Sequence, residues 1–243
     1  MRYFRATVEY DGTEFFGFQV QQDRPTVQGT LEEVLSNLTS TSVRVVAAGR
    51  TDTGVHARGQ VIAFRCPWRH TPAELQKAMN ALLPESIAVL ALDEAPEGFH
   101  PRYSARRREY RYFVLNRAVR SPLRARYSLH VPHPLDVERM NRAAALVVGV
   151  HDFATFGDPT VGEVTVREVF TSRWEQQGEE LVYIIEANAF LRRMVRTLVT
   201  GLLWVGQGRW TEADFAQALA ARDRAVCPPP AAPNGLHLWR VTY

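Results

Sequence analysis

The chain has almost no lysine. Lys77 is the only one among 29 lysine and arginine residues, so every other cation is a guanidinium. Cysteine is nearly as scarce. Cys66 and Cys227 are the only two, and they match no metal-binding spacing. That excludes a disulfide-built scaffold and a cysteine zinc site, and both thiols are expected to be reduced. No stretch approaches the roughly 18 continuous apolar residues of a membrane span. The opening Met1-Arg2-Tyr3-Phe4-Arg5 runs straight into a strand pattern, so no signal peptide is expected there. His100, His133 and His151 are scattered without ligand spacing, which points away from zinc. These absences together suggest a cytoplasmic protein. Its 243 residues suffice for one large domain or two close halves with a sizeable core.

What is present is arginine, and its placement matters more than its total. Genomic base composition or a hot habitat can enrich arginine without any functional reason. Between Arg102 and Arg126, however, lie nine arginines against a single acid, Glu109. Tyr103, Tyr110, Tyr112, Phe113 and Tyr127 are interleaved with them. A solvated charge run needs no aromatics, whereas phosphates and unstacked bases call for guanidinium forks beside stacking rings. Nucleic-acid contact is therefore the favoured reading of this segment.

Periodicity lays out the elements. Residues 3–10 alternate as a strand, and Val27, Leu31, Val34, Leu35 and Leu38 recur at helical spacing behind Thr26 as N-cap. Strand-like runs follow at 43–48 and 59–65, a helix pattern at 72–83, and an apolar run at 86–92. That order is β-α-β-β-α-β. After Pro96-Glu97-Gly98-Phe99-His100-Pro101 it recurs, with a strand at 105–115 and a helix at 136–148. Two long strands near 163–175 and 180–188 come next, then helical segments at 190–205 and 211–221 and a last strand at 236–243. The expected fold is α+β: two tandem ferredoxin-like units, residues 1–98 and 99–243, with four strands each. Joined, they would make one eight-stranded, mostly antiparallel sheet with helices on one face. Cys227-Pro228-Pro229-Pro230-Ala231-Ala232-Pro233 reads as a stiff connector ahead of the last strand.

One loop concentrates the chemistry. Gly49-Arg50-Thr51-Asp52-Thr53-Gly54-Val55-His56-Ala57-Arg58-Gly59-Gln60 lies between two expected strands. It carries one carboxylate, Asp52, with Arg50 two positions before it and Arg58 six after. A neighbouring guanidinium favours the ionised carboxylate. The plainer alternative is an Asp that caps its own turn, with Gly54 at positive φ. His56 is expected to hydrogen-bond the loop, and Asp11 with Gly12 to form a turn beside it. On the segment 190–205, Leu191, Met194, Val195, Leu198, Leu202 and Val205 form an apolar stripe, while Arg192 and Arg196 sit one turn apart on another face. Spacing alone leaves Arg196 open as a phosphate ligand, a carboxylate partner or a surface arginine.

Several motifs, taken in order, resemble one family. They are Tyr10-Asp11-Gly12-Thr13, Phe15, Gly17-Phe18-Gln19 and Gln21, then the loop from Gly49 to Ala57. Arg106 through Tyr112, Asn188-Ala189-Phe190-Leu191-x-x-Met194-Val195-Arg196 and Gly235-Leu236 complete the set. Spread over nearly the whole chain, they are similar to the tRNA pseudouridine synthase A (TruA) family. Thr53 stands where that pattern has alanine and Thr200 where glycine is frequent, both beside the functional positions rather than on them. The resemblance implies the pseudouridine synthase fold and isomerisation of uridine to pseudouridine at positions thirty-eight to forty of the tRNA anticodon arm. It implies a homodimer, with no cofactor and no metal. Asp52 would be the catalytic aspartate, Arg196 its ion-pair partner and Tyr110 the ring that stacks on the target base. Arg50, Arg58, Arg106, Arg108 and Leu236 would contact the substrate.

Two rivals compete. Asp52-Thr53-Gly54 spells the aspartic protease triplet, but such enzymes share a proton between two carboxylates, and Arg50 would oppose that proton. A pair of RRM-like modules that bind RNA without catalysis would explain fold and arginines. It gives no reason for a carboxylate between Arg50 and Arg58, which would repel RNA phosphate.

Overall fold

The computed structural model describes residues 1–159 and 162–243. The chain forms two compact units, residues 1–106 with 237–243, and residues 107–236. Both mix strands and helices, as the alternating periodicities predict.

The first unit contains β1 (Arg2–Tyr10), α1 (Val27–Thr39), β2 (Val45–Ala47), β3 (His56–Cys66), α2 (Pro72–Leu82) and β4 (Ile87–Glu94). This is the predicted β-α-β-β-α-β order. β1 pairs antiparallel with both β3 and β4, and β2 pairs antiparallel with β3. Alternation along β1 sends Phe4, Ala6, Val8 and Tyr10 into the core. Phe4 meets Phe64 of β3 with ring centroids 5.7 Å apart, and Ile62 of β3, Leu31 and Leu35 of α1 and Leu75 and Met79 of α2 are fully buried as well. Each such side chain contributes about 1.5–3 kcal/mol by leaving water. The helices start where their caps dictate. Thr26 accepts from the N–H of Gly29, and Thr71 with Glu74 closes a reciprocal capping box around Pro72. The chain's last strand, β10 (Leu236–Thr242), belongs with this unit. It runs parallel to β3, with His237 opposite His56 and Leu238 opposite Ala57. The approach is close: a Cβ on Gly59 would lie 2.6 Å from the carbonyl oxygen of Trp239.

The second unit contains β5 (Arg107–Asn116), β6 (Leu129–Val131), α3 (Val137–Ala145), β7 (Gly149–Asp152), β8 (Val166–Gln177), β9 (Glu180–Ala187), α4 (Met194–Gly206) and α5 (Glu212–Ala221). Its main strands run in the order β5-β9-β8-β7, all antiparallel. The β8–β9 hairpin turns through Gly178 at φ +64°, which glycine adopts without penalty. Each unit thus has four strands in its main path, with the short β2 and β6 appended.

The structure departs from the sequence reading chiefly in the second unit. α3 stops at Ala145 instead of 148, since the N–H groups of Leu146, Val147 and Val148 bond three residues back, and Gly149 at φ +106° then turns the chain into the unanticipated β7. β6 is also new, a three-residue strand parallel to β5. α4 begins at Met194 instead of 190, because Arg193 preceding it adopts φ +64°.

Candidate active site

The Asp52 loop is held from both sides. Before it, the N–H of Ala48 still bonds the carbonyl of Val61 at 2.8 Å, so the chain leaves β3 only at Gly49. After it, the N–H of Val55 donates to the carbonyl of Asp52 at 3.1 Å and closes a turn whose third residue, Gly54, has φ +75°. The turn reading of Asp-x-Gly is therefore correct for the backbone, and it leaves the carboxylate half-buried. Thr51 is buried. Its hydroxyl meets the phenol of Tyr10 at 2.8 Å, and its carbonyl accepts from the N–H of Phe18 at 3.1 Å. Gln60, fully buried, donates its side-chain amide to the carbonyl of Gly49 at 2.8 Å.

Two glycines let neighbouring chain press against this loop. A Cβ on Gly12 would lie 2.0 Å from the carbonyl oxygen of Val55. One on Gly17, at φ +84°, would lie 2.8 Å from that of Thr51. The N-terminal motif thus forms the wall behind Asp52, and a rigid loop of this kind can present a reactive side chain in one orientation. Burial pushes the Tyr10 phenol up to about 12, against the hydrogen bonds with Thr51 and Gln60, so it stays un-ionised at pH 7.

The flanking cations behave differently. Arg50 is exposed, and its guanidinium has no partner among the described residues. Arg58 is exposed too, but its guanidinium lies over the Trp239 ring at 4.6 Å from the centroid. His56 is buried, accepts from the N–H of Gly12 at Nδ1 (3.0 Å), and stacks on His237 with centroids 4.6 Å apart. Asp11 accepts from the N–H of Thr13 at 2.9 Å, which makes the expected turn.

In the second unit, Tyr110 sits on β5 opposite Ile185 of β9 and meets Phe190 edge to face, centroids 5.1 Å apart. Arg196, in the first turn of α4, donates from Nε to the carbonyl of Ala231 at 2.6 Å, while the N–H of Ala231 bonds the Arg196 carbonyl at 3.0 Å. This double clamp fixes the proline-rich connector. Burial pushes the Tyr112 phenol far up, and the nearby Arg196 charge pulls it the other way. The Tyr112 hydroxyl donates to the carbonyl of Ala232 at 2.8 Å. A Cβ on Gly235 would lie 2.6 Å from the Tyr112 ring, which explains a glycine before the buried Leu236.

The arginine segment is less uniformly charged than its sequence suggests. Arg107 pairs with Glu186 at 3.2 Å, Arg111 with Glu109 at 2.8 Å and Arg117 with Glu179 at 3.0 Å, and Arg124 pairs with Glu180. Antiparallel pairing and the hairpin bring acids of β9 beside β5, which a linear count cannot reveal. Arg108 donates to the carbonyl of Asn188 at 2.8 Å. Arg106 is exposed, with no side-chain partner among the described residues. No group of three histidine, cysteine or acidic residues among the described residues could hold a metal ion.

A family model described as tRNA pseudouridine synthase matches residues 6–104 and 143–243. The chain belongs to that family. It is 47% identical to the tRNA pseudouridine synthase A of Roseiflexus castenholzii, over 100% of this chain and 91% of that protein. It is 40% identical to the protein of that description from Oceanobacillus iheyensis, over 100% of this chain and 97% of the relative. For the one from Thermotoga neapolitana the figures are 39%, 100% and 100%. The matched stretches include Arg50, Asp52, Arg58, Arg196 and Leu236, whereas Arg106, Arg108 and Tyr110 fall between them. Within this pseudouridine synthase the sequence reading overlooked Tyr10, Gln60 and Trp239 as supports. Tyr10 and Gln60 stood inside quoted motifs, and an aromatic on the closing strand was the only signal for Trp239.

Proposed function

We propose that the chain converts uridine to pseudouridine in the anticodon arm of tRNA, with Asp52 as the catalytic carboxylate. The observation that supports this most directly is the loop itself. In a chain of this family, a half-buried aspartate rides on a turn braced by Tyr10, Phe18, Gln60, Gly12 and Gly17.

The reaction breaks the N1–C1′ bond, turns the uracil and rejoins it through C5, so that the C5 proton is lost and N1 gains one. An ionised carboxylate can attack the sugar at C1′, remove a proton in an elimination to a glycal, or add to the base at C6. Each route needs Asp52 ionised and screened from water. The resemblance assigns Arg196 the opposite charge, and a guanidinium is the cation least able to lose its proton. It assigns Tyr110 the stacking face for the loosened uracil, which must stay held yet free to rotate. The target nucleotide has to leave its stack, at a cost of a few kcal/mol. Arg50, Arg58, Arg106 and Arg108 offset that cost through phosphate contacts that position RNA without reading its bases. A homodimer acting in the cytoplasm completes the reading.

The test is incubation of unmodified tRNA with the protein, followed by pseudouridine mapping. Modification confined to positions thirty-eight to forty is expected. No pseudouridine, or pseudouridine elsewhere, would overturn the proposal.

A further inference from the structure

His56 is the buried titratable group nearest in sequence to the Asp52 turn, and the reaction scheme leaves it unused. The residue is only 2% exposed. Nδ1 lies 3.0 Å from the backbone nitrogen of Gly12 and 3.2 Å from Oδ1 of Asp11. A backbone N–H can only donate, so Nδ1 is the acceptor in its bond with Gly12. The same Asp11 oxygen also accepts from the N–H of Thr13 at 2.9 Å and from the Thr13 hydroxyl at 2.5 Å. From β10, His237 stacks on the imidazole and fixes its plane.

The bond to Gly12 reaches the turn in two further steps. Gly12 is so near Val55 that a Cβ there would fall 2.0 Å from its carbonyl oxygen and 3.2 Å from its nitrogen. That same Val55 nitrogen donates to the carbonyl of Asp52 and closes the turn. Close-packed interiors transmit displacement, so a shift of Gly12 must move Val55 and with it the residue that carries the carboxylate.

We propose that His56 is a positioning residue for Asp52, acting as a hydrogen-bond acceptor at Nδ1 through Gly12 and the Asp52–Val55 turn. This rests on the reading of Asp52 as the catalytic carboxylate.

Two variants test it. His56→Leu keeps apolar bulk but removes the acceptor. His56→Asn carries an amide oxygen on Cγ, where Nδ1 stood, and restores it. For His56→Leu, kcat on tRNA should fall about tenfold to a hundredfold with KM changed less than about twofold, as misplacement of a reacting group by up to about an ångström does. His56→Asn should return kcat to within about threefold of the parent. The inference is overturned if the Leu variant keeps its kcat, or if a folded Asn variant loses as much as Leu. Should the Leu variant fail to fold, the Asn variant decides alone, a loss of about tenfold or more counting against the proposal. Asp52→Asn is the control. Activity in that variant would sink the reading of the carboxylate, whereas an active His56→Leu beside an inactive Asp52→Asn sinks only this inference.

Discussion

The phenol of Tyr10 and the hydroxyl of Thr51 lie 2.8 Å apart, both buried, and join the end of β1 to the residue preceding Asp52. Tyr10→Phe removes one partner and leaves the buried Thr51 hydroxyl without that bond. Stability should drop by about 1 kcal/mol, and kcat should fall more than KM changes. Urea unfolding and steady-state kinetics on one preparation check both. An unchanged kcat would remove Tyr10 from the supports of the loop.

Arg196 has a structural bond and a proposed electrostatic role, which two substitutions separate. Arg196→Lys and Arg196→Met both lose the Nε bond to the Ala231 carbonyl, so both should be less stable by about 1–2 kcal/mol. Only the Met variant also loses the charge. It should be slower than the Lys variant by about a hundredfold in kcat. Equal rates in the two would reduce Arg196 to a clamp for the proline-rich connector.

The arginines of β5 and its approach are not equivalent. Arg106 is exposed without a side-chain partner among the described residues, while Arg107 pairs with Glu186 and lies over Phe170. If Arg106 meets phosphate, Arg106→Gln should reduce the slope of log affinity against log salt by about 0.7–0.9. Arg107→Gln should change that slope less. Filter binding of tRNA across a salt series reads both, and an unaltered slope for Arg106→Gln would deny it a phosphate.

Acid should weaken one link between α3 and α5. Hydrogen bonds from its own backbone N–H and from the Arg139 and Arg142 guanidinia lower Glu212 to about 2. A carboxylate depressed on folding stabilises fully above its unfolded value, here 4.5, and that stabilisation is lost as pH falls through 2. The difference in urea midpoint between the parent and Glu212→Gln should therefore shrink steadily between those pH values. A difference independent of pH would contradict the assignment.

Much of this architecture was legible in the residue pattern. Alternation over residues 3–10 marks β1, and the helical pattern at 72–83 marks α2. The loop around Asp52 was found from its glycines and its charges. Other features left no local trace. Nothing in Leu191-Arg192-Arg193 announces a left-handed residue before α4, because glycine or asparagine usually signals that conformation and arginine does not. The ion pairs of Arg107, Arg117 and Arg124 depend on which strand lies beside β5, a tertiary fact absent from a linear count. Of the supports behind Asp52, Tyr10, Gly12, Gly17 and Phe18 come from far earlier in the chain, so their role emerges only when the chain has folded back.

The central claim is that the Asp52 carboxylate performs the isomerisation. The most direct measurement is single-turnover conversion of tRNA uridine by Asp52→Asn, alongside its tRNA affinity. The account predicts no detectable pseudouridine with affinity nearly unchanged, since the amide keeps the shape and lacks the charge. Appreciable pseudouridine formation by that variant would contradict it.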